Sequence, residues 1–223
     1  MEALKVTFTF AGPVVIDSEY PIHLDALLAW CVVDEAESVA MPNAWAAGDD
    51  LGHIVGRAEA PDEQWVWQAS RLVFAQASER FMMNMVRKCE PLVYMDGYDR
   101  GLIDGRKRNT INSGSGQERA YQFLMPYQWF EHAEAWCIGS REALEETIVR
   151  LRAIGKLTRN GFGQIKTIQV EPDEQATDRW KWRTLPQGIE GAKDTVYAPT
   201  LQCIRAPYWK KTNRVPANEP MIL

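Results

Sequence analysis

Leu151–Val170, LRAIGKLTRNGFGQIKTIQV, decides how this chain is read. It predicts the last turn of a helix, a glycine-rich loop carrying Lys156 and Arg159, and then a strand through Ile165, Ile168 and Val170. Upstream, Ser140 suits the N-cap and Glu142 falls in the first turn, where the helix dipole favours a negative charge. Leu144, Ile148, Leu151 and Ile154 follow at helical spacing. Gly155 then reads as the glycine just past the helix end, with Arg150, Arg152 and Lys156 near the negative end of the dipole. Gly155, Gly161 and Gly163 lie within nine residues and are interleaved with two cations. Backbone N–H groups left unshielded by glycine, beside cations, form a cradle for a phosphate backbone. An ordinary reading stands beside this one, with Gly155 as a helix stop and Asn160-Gly161 as a type I′ hairpin turn.

Outward from this stretch, the chain of 223 residues is long enough for one large domain with an elaborate insertion. No apolar run reaches membrane-spanning length, and MEALKVTFTF lacks a basic start followed by an apolar stretch. The expectation is therefore a cytoplasmic protein with no signal peptide and no membrane partner. Cys31, Cys89, Cys137 and Cys203 show no CxxC spacing and read as reduced thiols. With His23, His53 and His132 they offer no local ligand pair, so neither a metal nor another cofactor is expected. The net charge of −5 hides an asymmetry. Residues 17–63 hold eleven acidic side chains against the single Arg57, and the remainder totals +5. Such polarity fits one face for nucleic acid and another for protein neighbours.

Leu4–Phe10 alternates as a half-buried strand, and Gly12-Pro13 breaks it before Val14-Val15-Ile16. Asp25 to about Glu37 reads as a helix with Leu24, Leu27, Leu28, Cys31 and Val32 on its apolar face. Residues 38–64 read as loop, WVWQASRLVFAQ (65–76) as one strand, and FMMNMVRKC (81–89) as ambiguous. Residues 96–120 hold five glycines and the cluster Arg106-Lys107-Arg108, the composition of an exposed arm. Ala120–Tyr127 and Ala133–Ile138 are further strand candidates. Beyond Val170 the chain reads as irregular, with one more strand within Thr195–Pro207. The expectation is α+β: one ferredoxin-like (RRM-like) βαββαβ domain, 1–223, with an antiparallel sheet, an insertion at about 77–120 and an irregular extension 171–223.

The N-terminal strand, PIHLDALLAW (21–30) opening the first helix, and GKLTRNGFGQI (155–165) after the second resemble the repeat-associated RNA-binding (RAMP) superfamily of CRISPR systems. Within it, the chain is similar to the small backbone subunit of type IV effector complexes that holds the crRNA five-prime handle. The first 35 residues and roughly 133–170 carry the likeness. The resemblance implies a non-catalytic subunit that caps one end of the complex, with crRNA and the backbone and large subunits as partners. It leaves open a contact with target DNA near the protospacer-adjacent motif. It places Gly155, Lys156, Arg159, Asn160, Gly161, Phe162 and Gly163 in an RNA-facing loop. Arg106, Lys107 and Arg108 are candidates for a thumb-like arm by charge and openness, and Arg87 and Lys88 join them as candidate RNA contacts.

Some relatives in the superfamily cleave crRNA precursors. Metal-independent RNA cleavage needs a base near the 2′-hydroxyl and an acid for the leaving oxygen. His23 with Lys156 or Tyr98 would be the first candidates, although no two histidines are paired by sequence. A second alternative is a protein-interaction scaffold whose acidic 17–63 region docks a basic neighbour without direct RNA contact. No phosphate-loop, Rossmann or hydrolase-elbow pattern supports a small-molecule enzyme.

Overall fold

Alternation in the first strand decides which way the core faces. In the computed structural model, which describes residues 1–16, 20–88, 90–102, 114–115 and 119–222, β1 (Glu2–Phe10) buries Leu4, Val6 and Phe8 completely. Helix α1 (Leu24–Ser38) follows. Its first amide donates to the Ser70 carbonyl at 3.0 Å, which serves in place of the side-chain cap that His23 does not provide. A short hairpin, β2 (Arg57–Glu59) with β3 (Trp65–Trp67), precedes β4 (Val73–Gln76). The expected single strand 65–76 is thus two. At the break, the Ser70 hydroxyl accepts the Trp136 amide at 2.9 Å, and the Ser70 amide donates to the Trp136 carbonyl at 2.8 Å. A side chain competing for ladder groups in this way ends a regular strand.

The chain divides into two compact units, Met1–Glu79 with Gln128–Leu223, and Arg80–Tyr127. The smaller unit pairs β5 (Phe81–Arg87) antiparallel with β6 (Tyr121–Tyr127) and holds α2 (Pro91–Asp99) between them in sequence. The ambiguous 81–89 stretch is therefore a strand through Arg87. The helix at 91–99 was not legible, since Gly97 lies within it against its helix propensity and only Pro91, tolerated at the first helical position, marks its start. Arg106, Lys107, Arg108 and Cys89 lie outside the described residues.

In the larger unit the chain continues as β7 (Phe130–Gly139), α3 (Arg141–Ile148) and β8 (Ile165–Pro172). The sheet order is β4-β7-β1-β8, every pairing antiparallel. α1 joins β1 to the segment leading to β4, and α3 joins β7 to the segment leading to β8. Both helices contribute to one core with the sheet: Leu24, Leu28 and Cys31 from α1 and Leu144 and Ile148 from α3 meet Leu4, Val6, Phe8, Ala133 and Ala135.

Residues 171–223 are more regular than expected. After α4 (Ala176–Arg179), β9 (Leu185–Pro186), β10 (Tyr197–Cys203) and β11 (Arg214–Pro220) form a second antiparallel sheet in the order β10-β11-β9. Val66, Trp180, Leu185, Ile204 and Ala217 make its own core. The prolines at 216 and 220 argue against a strand on sequence grounds and concealed β11. Among the tryptophans, Trp136 and Trp180 are core residues, while Trp129 and Trp209 are exposed. Among the described residues no helix is long and apolar enough to cross a membrane.

Candidate nucleic-acid interface

The glycine stretch is built differently from its sequence reading. Ser140 caps α3 as expected, accepting the Ala143 amide at 3.4 Å, but the helix ends at Ile148 instead of Ile154. Leu151 and Ile154 are still buried in the same core; they reach it from irregular chain beyond the helix, so apolar spacing alone overstated the helix. Gly155 is consequently not the residue that closes the helix. Its φ of 99° serves a close approach, because a Cβ there would strike the carbonyl oxygen of Val15.

The loop is zipped to the segment that continues β1. Ala11 donates to the Gln164 carbonyl, Gly163 to Pro13 and Lys156 to Val15, each at 2.8 Å. Ile154 donates to Gly163 at 2.9 Å and Ile165 to Arg152 at 3.0 Å, closing a hairpin base across the loop. At the tip, Thr158–Asn160 forms a 3-10 turn that Gly161 ends at φ 90°. Asn160 is not at positive φ, so Asn160-Gly161 is not a type I′ turn. The amides of Lys156, Asn160, Gly161 and Gly163 all donate to backbone carbonyls, which corrects the picture of an unshielded amide cradle.

What the geometry presents to solvent is charge. Lys156, Arg159, Asn160 and Gly161 are exposed, Phe162 is half-buried and Gly163 is buried. Residues 151–170 carry four cations and no carboxylate, since Arg152 and Lys166 flank the loop and are exposed. Among the described residues, none of Arg152, Arg159 and Lys166 pairs with an acid. Arg150, one residue before this stretch, is by contrast spent on structure: it ties α3 to Asp34 and Glu35 of α1 at 3.4 and 3.2 Å. Arg152 and Lys166 were missed as candidates, although their positions at the two ends of the loop were visible in the sequence. Arg87 and Lys88 are exposed at the end of β5 in the smaller unit, and Tyr98 is half-buried on α2.

His23 belongs to a different constellation. It is buried and stacked on Tyr208, ring centroids 4.1 Å apart, with Nδ1 3.1 Å from the Pro21 carbonyl. Among the described residues, Nε2 is buried without a partner. Burial, then the charges of Arg183 and Arg71, hold its pKa well below the ordinary 6.5. His53 is exposed, and His132 lies 4.0 Å from Glu134. A pH consequence follows. Below about pH 6.5 the unfolded chain takes up a proton at His23 that the folded chain refuses, so stability falls as pH drops. The thermal midpoint should decline between pH 7.5 and 5.5, and His23→Phe, which keeps the stack, should flatten that decline. A pH dependence identical in the two proteins would refute the assignment.

A family model described as "Csf3: CRISPR type IV associated protein Csf3" matches residues 2–220. No curated protein matches the chain in sequence. The match spans the sheet, the glycine loop and the C-terminal sheet alike, so it covers the fold described above from end to end. The chain belongs to the Csf3 family of CRISPR type IV associated proteins.

Proposed function

We propose that this protein is a non-catalytic RAMP-type subunit of a type IV CRISPR ribonucleoprotein, with a ferredoxin-like βαββαβ centre, that binds the crRNA five-prime handle and caps the backbone in the cytoplasm. The observation that carries the reading is the acid-free glycine hairpin, whose exposed Lys156 and Arg159 are held out on a backbone zipped to residues 11–15. The strand order β4-β7-β1-β8, with a helix after the first and third of these strands in sequence, supports the ferredoxin-like interpretation. Exposed cations at the tip of such a hairpin suit a single-stranded RNA backbone. Arg87 and Lys88 extend the cationic inventory to the smaller unit, and Arg106, Lys107 and Arg108 complete the proposed arm. Leu92 and Leu102, 77% and 78% exposed, are apolar surface of the kind that neighbouring backbone and large subunits cover. Target DNA near the protospacer-adjacent motif is a further partner of the assembled complex in this reading.

The test is retention of a repeat-containing RNA by the purified protein in metal chelator, scored for cleavage as well. Lys156→Ala/Arg159→Ala should weaken retention about tenfold near 0.1 M salt. It should also make the slope of log K against log salt shallower by about 1.4, the value for two lost single-strand phosphate contacts. Unchanged retention would overturn the loop assignment, and cleaved product would overturn the non-catalytic role in favour of an endoribonuclease.

A further inference from the structure

A second site lies away from the glycine hairpin, in a cleft of about 590 Å³ whose lining includes no residue of 151–170. Asp49, Glu63 and Gln64 line it from the segments before β3; Arg205, Lys210 and Asn213 line it from the connection between β10 and β11. Its volume is that of a small-ligand pocket.

The arginines around it are disposed unequally. The guanidinium carbons of Arg57 and Arg205 lie 4.2 and 3.9 Å from the Trp65 ring centroid. Both cations therefore lie within cation–π range of the same ring. Arg57 is neutralised by Glu59 at 2.6 Å. Arg205, half-buried, has no carboxylate within 4 Å among the described residues, and neither does Lys210. Burial, then the nearby charges of Arg57 and Arg183, push the Arg205 pKa below its ordinary value, with Tyr208 and Asp49 opposing part of that shift. Asp49 and Glu63 are exposed and likewise form no ion pair with a described residue. The cleft therefore carries cations and carboxylates that make no close ion pair among the described residues, although Asp49 is near enough to offset part of the charge on Arg205.

A ligand that satisfies both must be anionic at one end and rich in N–H donors at the other. An acidic peptide fails at Asp49 and Glu63, and a basic one fails at Arg205 and Lys210. A guanine nucleotide meets both requirements. Its phosphate pairs with the cations, and its N1–H and N2–H edge is the kind of Watson–Crick surface that side chains read in single-stranded RNA. We propose that this cleft binds a single guanine nucleotide, with phosphate on Arg205 and Lys210 and the base edge toward Asp49 and Glu63.

The test titrates the full-length protein at low salt with guanosine 5′-monophosphate, uridine 5′-monophosphate, inorganic phosphate and a short guanine-containing oligoribonucleotide. Guanosine monophosphate should bind more tightly than the uridine nucleotide or phosphate. Arg205→Gln should weaken it about tenfold, the effect of losing a charge-assisted hydrogen bond. Lys210→Gln, at an exposed position that does not threaten folding, should weaken it several-fold, and Glu63→Gln should narrow the guanine preference. Tighter binding of the oligonucleotide assigns the site to RNA, and equal binding assigns it to free nucleotide. Guanosine monophosphate binding that matches phosphate alone, or that is unchanged in both the Arg205 and Lys210 variants, overturns the proposal. The Lys156→Ala/Arg159→Ala protein should titrate as wild type here, which keeps this result separate from that of the glycine hairpin.

Discussion

Arg183→Met is expected to cost about 3–5 kcal/mol of stability, the penalty for breaking a buried ion pair by removing one partner. Arg183 and Asp25 are both fully buried, 3.2 Å apart. The guanidinium also donates to the carbonyls of Trp67 at 2.6 Å, Ala69 at 2.9 Å and Ile204 at 2.6 Å, and meets the Tyr208 hydroxyl at 2.6 Å. The Tyr208 hydroxyl lies 2.9 and 2.8 Å from the two Asp25 oxygens. Burial pushes the Arg183 pKa down, but Asp25 and Tyr208 outweigh it and hold it above the ordinary value. Methionine of similar length leaves Asp25 with only the Tyr208 hydroxyl and removes the guanidinium donor from three buried carbonyls, of which Trp67 keeps the Ala69 amide at 2.8 Å. Against a typical total of about 5–15 kcal/mol, that loss removes between a fifth and all of the stability.

The double variant Asp25→Leu/Arg183→Met separates charge from packing. With no orphaned carboxylate, it should recover a kilocalorie or more relative to Arg183→Met, because coupled neighbours are not additive. Denaturant unfolding followed by tryptophan fluorescence gives both numbers. A loss under about 1 kcal/mol for Arg183→Met would remove this network as the link between α1, the β3–β4 junction and the C-terminal sheet.

This network was invisible in the sequence, and the reason is separation: Asp25 and Arg183 stand 158 residues apart, with no periodicity to join them. Read singly, His23 and Asp25 were only the entrance to a helix. What was legible is local. The alternation of Leu4, Val6 and Phe8, the Ser140 cap and the strand after Gly163 follow from period, cap chemistry and β-branched residues, and all three stand in the structure. The same local logic failed where tertiary packing took over. Leu151 and Ile154 continue a helical spacing yet are buried by irregular chain, and Ser70 breaks a stretch whose composition is that of one strand. At the candidate interface the inventory of charge was legible, while the backbone that presents it was not, because its partners at Pro13 and Val15 lie about 140 residues earlier.

Gly163→Ala is expected to be the most damaging small substitution in that hairpin, while Gly161→Ala, two residues away, should be mild. Both glycines have positive φ, 65° and 90°, so alanine costs about 1–2 kcal/mol at either from backbone conformation alone. The surroundings then separate them. A Cβ at Gly161 meets nothing within 4 Å, whereas one at Gly163 is driven into the Ile154 carbonyl oxygen. Ile154 cannot yield easily, being buried and donating its own amide to the Gly163 carbonyl at 2.9 Å. Relief requires opening that bond or the one from Gly163 to Pro13 at 2.8 Å, and either releases the base on which Lys156 and Arg159 are held. Each lost backbone bond adds about 1 kcal/mol, so Gly163→Ala should cost about 2–4 kcal/mol in all. Its RNA retention should fall at least as far as that of Lys156→Ala/Arg159→Ala, though every cation is still present. Gly161→Ala should lose about 1 kcal/mol and bind nearly as wild type. Denaturation midpoints and RNA titrations on the two variants decide the matter. If Gly163→Ala is destabilised as expected yet keeps full RNA affinity, the hairpin backbone is a structural device and the cations at its tip are not what holds RNA.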